Sequence, residues 1–228
     1  AEAERMRREF TANVSHELKT PLQSIIGSVE LLENDLVQPE DRPRFLGRIH
    51  QEAQRLVSLI NDILGLSQLD EGAAMPRESV SLLSLAQEAA ASLSAAAQAQ
   101  NVTLTVNGTA GTLTGVRRLL SETVRNLCEN AVKYNIPGGS ITVTVAETPR
   151  AVTLTVADTG IGIPPADQSR VFERFYRVDK SHSRAIGGTG LGLSIVKHAV
   201  AYHHGTVQLD STPGQGTVIT VTLPKDAA

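Results

Sequence analysis

The apolar positions of residues 1–70 recur at three- and four-residue steps. Met6, Phe10, Val14, Leu18, Leu22, Ile25, Val29, Leu32 and Leu36 trace one stripe, and Phe45, Ile49, Ala53, Leu56, Ile60 and Ile63 trace a second. That period predicts two long amphipathic helices, separated at Gln38-Pro39-Glu40-Asp41, which reads as a turn. Pro21 falls inside the first helix. It lacks an N–H and crowds the preceding turn, so a bend is expected there. Glu71-Gly72-Ala73-Ala74-Met75-Pro76 ends the pattern and reads as a linker. Leu82 to Ala99, Leu119 to Tyr134 and Leu191 to His203 then read as helices. Val102-Thr103-Leu104-Thr105-Val106, Ile141-Thr142-Val143-Thr144-Val145, Val152-Thr153-Leu154-Thr155-Val156, Val207-Gln208-Leu209 and Val218-Ile219-Thr220-Val221 read as strands. The expected class is α+β: a helical hairpin (1–70), a linker (71–78), and an α/β layer domain with helices on one face of a sheet (79–228).

A single hairpin has an apolar face left over. A second copy would cover it by completing a four-helix bundle, which makes homodimerisation the expectation from burial. Residues 80–228 covering that face instead is the alternative.

Composition narrows the function. Hydrophobic residues make up 41% and charged residues 20%, which fits a globular chain, and with aromatics at 3% the core must be Leu, Val, Ile and Ala. The net charge of −3 speaks against a broad nucleic-acid-binding face. One cysteine, Cys128, excludes an intramolecular disulfide and reads as a small buried apolar residue. No apolar run of membrane-spanning length is present. The charged opening, Ala1-Glu2-Ala3-Glu4-Arg5-Met6-Arg7-Arg8, resembles a helix cut mid-course. It suggests a fragment that would meet a membrane only through N-terminal regions outside it.

Candidate chemistry begins at Phe10-Thr11-Ala12-Asn13-Val14-Ser15-His16-Glu17-Leu18-Lys19-Thr20-Pro21-Leu22. His16 is two residues from both Val14 and Leu18, roughly 200° round the helix, so it points away from the apolar stripe. Thr20 shares its face, and Glu17 adjoins it. A neutral imidazole is a nucleophile, and a neighbouring carboxylate can take its ring proton. Alone, the segment reads equally as an exposed histidine without a role. A His-Glu-x-x-His zinc site is excluded, because Thr20 stands at the second ligand position.

Asn126-Leu127-Cys128-Glu129-Asn130-Ala131-Val132-Lys133-Tyr134 puts Asn126, Asn130 and Lys133 on one helix face. Such oxygens suit Mg²⁺ and such a lysine suits phosphate; a solvated polar face is the plainer reading. Asp158-Thr159-Gly160-Ile161-Gly162-Ile163-Pro164 follows a strand. Its carboxylate can accept from an exocyclic amine, and Gly160 and Gly162 let backbone approach a flat ring; the plainer reading is a turn. Gly187-Gly188-Thr189-Gly190-Leu191-Gly192-Leu193-Ser194 leads into a helix and offers an anion site, although it matches neither a Walker loop nor a Rossmann fingerprint. Before it lies Val171-Phe172-Glu173-Arg174-Phe175-Tyr176-Arg177-Val178-Asp179-Lys180, in which Phe172 and Phe175 read as packing anchors. The polar stretch 181–186 reads as a lid over a nucleotide.

Together these segments resemble, in order, the H, N, G1, F and G2 boxes of sensor histidine kinases. The resemblance covers nearly the whole chain and is nearest to the phosphate-regulon type. It implies a dimerisation and histidine-phosphotransfer bundle, followed by an ATP-binding two-layer α/β sandwich of the gyrase, Hsp90, histidine kinase and MutL type. It implies ATP and Mg²⁺ as cofactors, a homodimer, and the receiver domain of a response regulator as partner. The implied function is ATP-dependent autophosphorylation of His16 and transfer to a regulator aspartate, in the cytoplasmic portion of a membrane-anchored bacterial protein. Residue by residue, His16 would be the acceptor, Glu17 the base and Thr20 a regulator-phosphatase residue. Asn130 would hold Mg²⁺, with Asn126 beside it. Lys133 and Arg177 would meet phosphates, and Tyr134 the sugar or base. Asp158 would recognise adenine beside Gly160 and Gly162, while Gly188, Gly190, Leu191 and Gly192 would shape the phosphate-side loop. Two positions depart from the family's habit: Gly115, where an acidic residue often precedes the N-box helix, and Asn135, where a hydroxyl residue is frequent. An ATPase that couples hydrolysis to shape change and a regulator-binding scaffold are the rival readings.

Overall fold

The computed structural model describes residues 2–70, 74–178 and 188–225, with side chains from Arg8 onward except Glu9. The chain divides into two compact units, one containing the helices through Ser67 together with Gly188 and Thr189, and the other running from Gln68 and including Gly190 onward.

In the first unit, α1 (Glu2–Glu33) and α2 (Arg42–Asp70) are joined by a turn containing a short 3-10 segment, Pro39–Asp41. Asp35 takes a positive φ of 52° at the turn, and its carboxylate accepts from Arg42 at 2.6 Å. Helix α1 runs through Pro21 unbroken. Its shielded positions include Val14, Leu18, Pro21, Ile25, Ser28 and Leu32. Three positions of those stripes are not shielded within a single copy of the chain. Leu22 is 48% exposed, Leu36 lies past the helix end, and on α2 Leu59 at 2% is the buried residue whereas its neighbour Ile60 is 46% exposed. A stepwise count allows either of two adjacent apolar residues, and packing selects the inner one. Leu22, Ile26, Val57, Ile60 and Leu64 form a second, outward apolar set.

The second unit is a five-stranded sheet in the order β2-β4-β5-β7-β6, comprising β2 (Thr103–Gly108), β4 (Ser140–Glu147), β5 (Ala151–Asp158), β6 (Thr206–Thr212) and β7 (Gly216–Pro224). β2 and β4 are parallel and the other pairs antiparallel. β1 (Glu78–Ser81) and β3 (Thr112–Gly115) form a separate antiparallel ribbon. Helices α3 (Leu82–Ala99), α4 (Arg117–Lys133) and α6 (Gly192–Tyr202) supply the helical layer, and α5 (Pro165–Gln168) is a single turn. Strand alternation assigns the layers: Ile141, Val143, Val145, Val152, Leu154, Val156, Ile219, Val221 and Leu223 are buried against helix residues such as Leu85, Leu120, Val124, Leu127 and Val196. The intervening threonines take the opposite face, where β-branched side chains suit a pleated surface. The mixed helix-and-sheet class is as expected, and β1, β3 and α5 are additions to it. No described helix is long and apolar enough to cross a membrane.

Candidate phosphoacceptor and nucleotide sites

His16 lies mid-way along α1 with its side chain 66% exposed, and its Nδ1 is 4.0 Å from Glu17 Oε1. The helix wheel places it there, because the residues that shield α1 sit on the opposite side. Glu17 is at the margin of the packed face, and Arg55 of α2 approaches it, Nη2 to Oε2, at 3.8 Å. Arg55 also lies 3.9 Å from Glu52. This cation holds the carboxylate beside the imidazole, and the sequence reading passed over it. A lone arginine among the inward positions of α2 is its only trace in the sequence, and the pairing partner is on another helix. Thr20 donates its hydroxyl to the His16 carbonyl at 3.2 Å, the back-bond expected of a mid-helix threonine.

The second group is built around the C-terminal half of α4. Leu119, Leu120, Val124, Leu127, Cys128 and Ala131 are buried in the core, which turns Asn126, Asn130, Lys133 and the following Tyr134 to a half-buried face. Asn126 Nδ2 donates to Glu122 O at 2.9 Å. Lys133 Nζ stands 5.1 Å from the centroid of the Tyr134 ring, within cation–π range. The Asp158 turn is stitched to this helix end. Ile161 N donates to Tyr134 O at 3.1 Å. A Cβ on Gly160 would lie 2.3 Å from that same oxygen, so only glycine permits the approach. Asp158 Oδ1 accepts from the Gly160 N–H at 2.8 Å. Burial pushes the Asp158 carboxyl above the ordinary carboxylate range, while N–H bonds from Gly160 and Thr217 pull the other way. A partly buried acid at the C-terminal end of the central strand, with a shifted pKa, is a candidate recognition group.

Asn135, flagged in the sequence only as a departure, has a structural task here. Its Nδ2 donates to Ala131 O and Ser140 O, both at 3.2 Å, and its Oδ1 accepts from Ile136 N at 2.9 Å. A hydroxyl could not make all three bonds, so the amide ties the end of α4 to the start of β4.

The glycine segment meets the same face. Leu191, fully buried, precedes α6. A Cβ on Gly192 would lie 2.8 Å from Asn126 Oδ1, so the start of α6 abuts the α4 asparagine. Gly190 has φ +73°, and its carbonyl accepts from Phe175 N at 2.9 Å, which joins the segment to Phe172-Glu173-Arg174-Phe175. Gly162 packs against the Thr212 backbone. Arg177 and Gly188 are half-buried near the two ends of residues 179–187. The expected lid, 181–186, and linker residues 71–73 lie outside the described residues. Cys128, buried within α4, has its thiol pushed up to about 12 by burial and by Glu129, and is inert as expected.

An exposed imidazole beside a carboxylate, on a helical hairpin, thus shares a chain with an Asn/Lys helix, a half-buried Asp-x-Gly turn and a glycine-led helix. Residues 6–72 match the His Kinase A (phospho-acceptor) domain, and residues 115–227 match the histidine kinase-, DNA gyrase B- and HSP90-like ATPase family. The chain belongs to the histidine kinases. It is 38% identical over 231 residues to the sensor-like histidine kinase SenX3 of Mycolicibacterium smegmatis, covering 99% of this chain and 59% of that one. It therefore spans somewhat over half the length of this curated relative. The mycobacterial sensor histidine kinase MprB superposes with a TM-score of 0.56 at 30% identity, covering 65% of this chain and 97% of that structure. The histidine kinase ThkA, solved in complex with the response regulator TrrA, superposes with a TM-score of 0.76 at 22% identity over 99% of this chain and 64% of that one, a likeness of fold.

Proposed function

We propose that this histidine kinase chain uses ATP to phosphorylate His16 and then donates the phosphoryl group to an aspartate of a response-regulator receiver domain. The observation that carries the reading is the outward imidazole of His16 with Glu17 Oε1 4.0 Å from Nδ1, in a chain that also contains an ATPase-type nucleotide fold. Glu17 on the Nδ1 side leaves Nε2 to attack. The Nε2–P bond forms as the bond from the γ-phosphorus to the bridging oxygen breaks, ADP leaves, and the carboxylate takes the Nδ1 proton. Apo distances of this kind commonly shorten in the reacting complex. Arg55 keeps the base oriented.

In the nucleotide unit, Asp158 accepts from the adenine amine, Tyr134 lies by the sugar or base, and Lys133 and Arg177 neutralise phosphate charge. Gly160, Gly162, Gly188, Gly190, Leu191 and Gly192 shape the backbone around it. The donor chemistry of the α4 face fits Mg²⁺: the Asn130 carboxamide is a hard oxygen ligand, Asn126 is one turn away, and phosphates complete a shell in which few protein ligands are needed. Bound there, the ion would draw charge from the phosphate oxygens.

The outward set Leu22, Ile26, Val57, Ile60 and Leu64 supports a homodimeric four-helix bundle. The same proposal assigns residues 1–70 to phosphotransfer, 71–78 to a linker and 79–228 to ATP binding. The end of α2 at Asp70 and the start of β1 at Glu78 support those limits. ThkA was solved with a response regulator, which supports the choice of partner. Any membrane attachment would come through regions other than the described helices.

Incubation with γ-labelled ATP tests this. Wild type should take up label that is acid-labile and alkali-stable, and His16→Gln should take up none while still binding ADP. Label on serine or threonine, or label retained by His16→Gln, would exclude the mechanism. Thr20→Ala should lose regulator-phosphatase activity and keep autophosphorylation; loss of both would remove Thr20 from that role.

A further inference from the structure

His203 is 1% exposed, just past the C-terminus of α6. Its Nδ1 is 2.7 Å from Ala199 O, and the Val116 N–H donates to its Nε2 at 2.9 Å. A carbonyl cannot donate and an N–H cannot accept, so the ring carries its proton on Nδ1 and its lone pair on Nε2. It is a neutral imidazole with both nitrogens satisfied. Val116 is the N-cap residue of α4, and its apolar side chain provides no cap. A buried N–H at that point needs an acceptor from elsewhere, and His203 provides it. The Tyr202 ring stands edge-on to the imidazole at 5.5 Å. A Cβ on Gly115 would lie 3.0 Å from ring atoms Cδ2 and Nε2 and 2.8 Å from Leu120 Cδ1. Gly115 is therefore the residue that leaves room for this ring.

Two contacts fix how α4 lies along α6. At one end Val116 meets His203; at the other Asn126 meets Gly192. They are about 15 Å apart on each helix, so the helices run antiparallel between two matched points. The second point belongs to the nucleotide face.

We propose that His203 is a positioning residue for the nucleotide site: as a neutral imidazole it pins the axial register of α4 against α6, and so holds Asn126 and the Asn130 and Lys133 face at the glycine segment. The proposal rests on the ATP-binding reading and adds a residue that touches no nucleotide. Protonation of Nε2 would set N–H against N–H and release the pin. Among the described residues, the charged or titratable groups around the ring are Arg77, ahead of β1, the edge-on Tyr202, and His204 on its own turn. Arg117 and Arg118 of α4 are engaged instead with Glu88 and with Gln68 and Glu122. Burial foremost, then the Arg77 and His204 charges, hold the His203 pKa below its ordinary value, against the bond to Ala199.

The test compares ADP affinity of the whole chain, by calorimetry, for wild type, His203→Leu and His203→Gln. At about pH 7.5, where the imidazole is neutral, His203→Leu should bind about tenfold more weakly, and His203→Gln, whose amide oxygen can accept from Val116, should stay within about threefold. On acidification wild type should lose affinity relative to His203→Gln. Ring nitrogen NMR should report the Nδ1–H tautomer. His203→Leu that melts earlier yet binds ADP like wild type would overturn the proposal, leaving His203 a purely structural residue. Parallel pH profiles for wild type and His203→Gln, or an Nε2–H tautomer, would overturn it even if His203→Leu fails to fold. Wild type that binds no ADP would overturn the ATP-binding reading along with it.

Discussion

The two units bury their apolar residues differently. The sheet unit closes on itself: alternate residues of β4, β5 and β7 and the inner faces of α3, α4 and α6 form one core. The hairpin buries Leu59 and Leu66 but leaves Leu22, Ile26, Val57, Ile60 and Leu64 outward. Their chemistry follows the same division. Asp158 is half-buried, with its carboxyl raised by lost solvation, as the proposed role of selecting a ligand by hydrogen bonding in a sheltered place requires. His16 is mostly exposed, as the proposed acceptor has to be if one macromolecular domain and then another is to reach it. Enclosure gives specificity and exposure gives access, and this chain keeps the two in separate units.

The sharpest test of that contrast is at Leu59 and Ile60, adjacent residues with opposite surroundings. Leu59→Ala should cost about 3 kcal/mol and lower the melting temperature at every protein concentration. The Ile60→Ala shift should fade on dilution, because it acts only on the associated state. Equal, concentration-independent shifts would mean that no self-associating face exists on α2. Next in size, Asp158→Asn should weaken ADP binding about 100-fold, through loss of a charge-assisted acceptor and of one of the two oxygens that the carboxylate presents to the Gly160 and Thr217 N–H groups and to the ligand. Binding within twofold of wild type would remove Asp158 from adenine recognition. The smallest effect is that of pH on the sheet unit. Because the folded-state pKa of His203 lies below the ordinary 6.5, its contribution to stability is complete above that value and is lost as pH falls toward the depressed one. Denaturant melts of wild type between about pH 7.5 and pH 5 should show this loss, and His203→Gln should lack it.

Much of this was legible beforehand. Periodicity found both long helices, α3 to its end residues, and five strands of the sheet, because each depends on which side chains face a core. The short ribbon β1/β3 was missed. Ser79-Val80-Ser81 and Thr112-Leu113-Thr114 are too brief to show a period, and they form by pairing with each other across the chain. Ile60 was placed inward and Leu59 is the buried one, since helical spacing alone does not resolve a rotation of one residue. Among the candidate site residues, His16, Asn126, Asn130, Lys133 and Asp158 stood out through the chemistry of their types at fixed spacings. Arg55, Asn135 and His203 did not, because each acts through a partner distant in sequence or on a backbone group that no side-chain pattern records.

The sequence by itself therefore determined the longer elements, the candidate chemistry and the exposed face of His16, all of which depend on local spacing and residue type. Only the tertiary structure decided that Arg55 reaches Glu17, that Gly160 passes under the Tyr134 carbonyl, and that His203 fills the space at Gly115 to take the Val116 N–H. Those outcomes depend on distances between segments far apart in the chain, and packing fixes them only once every element is in place.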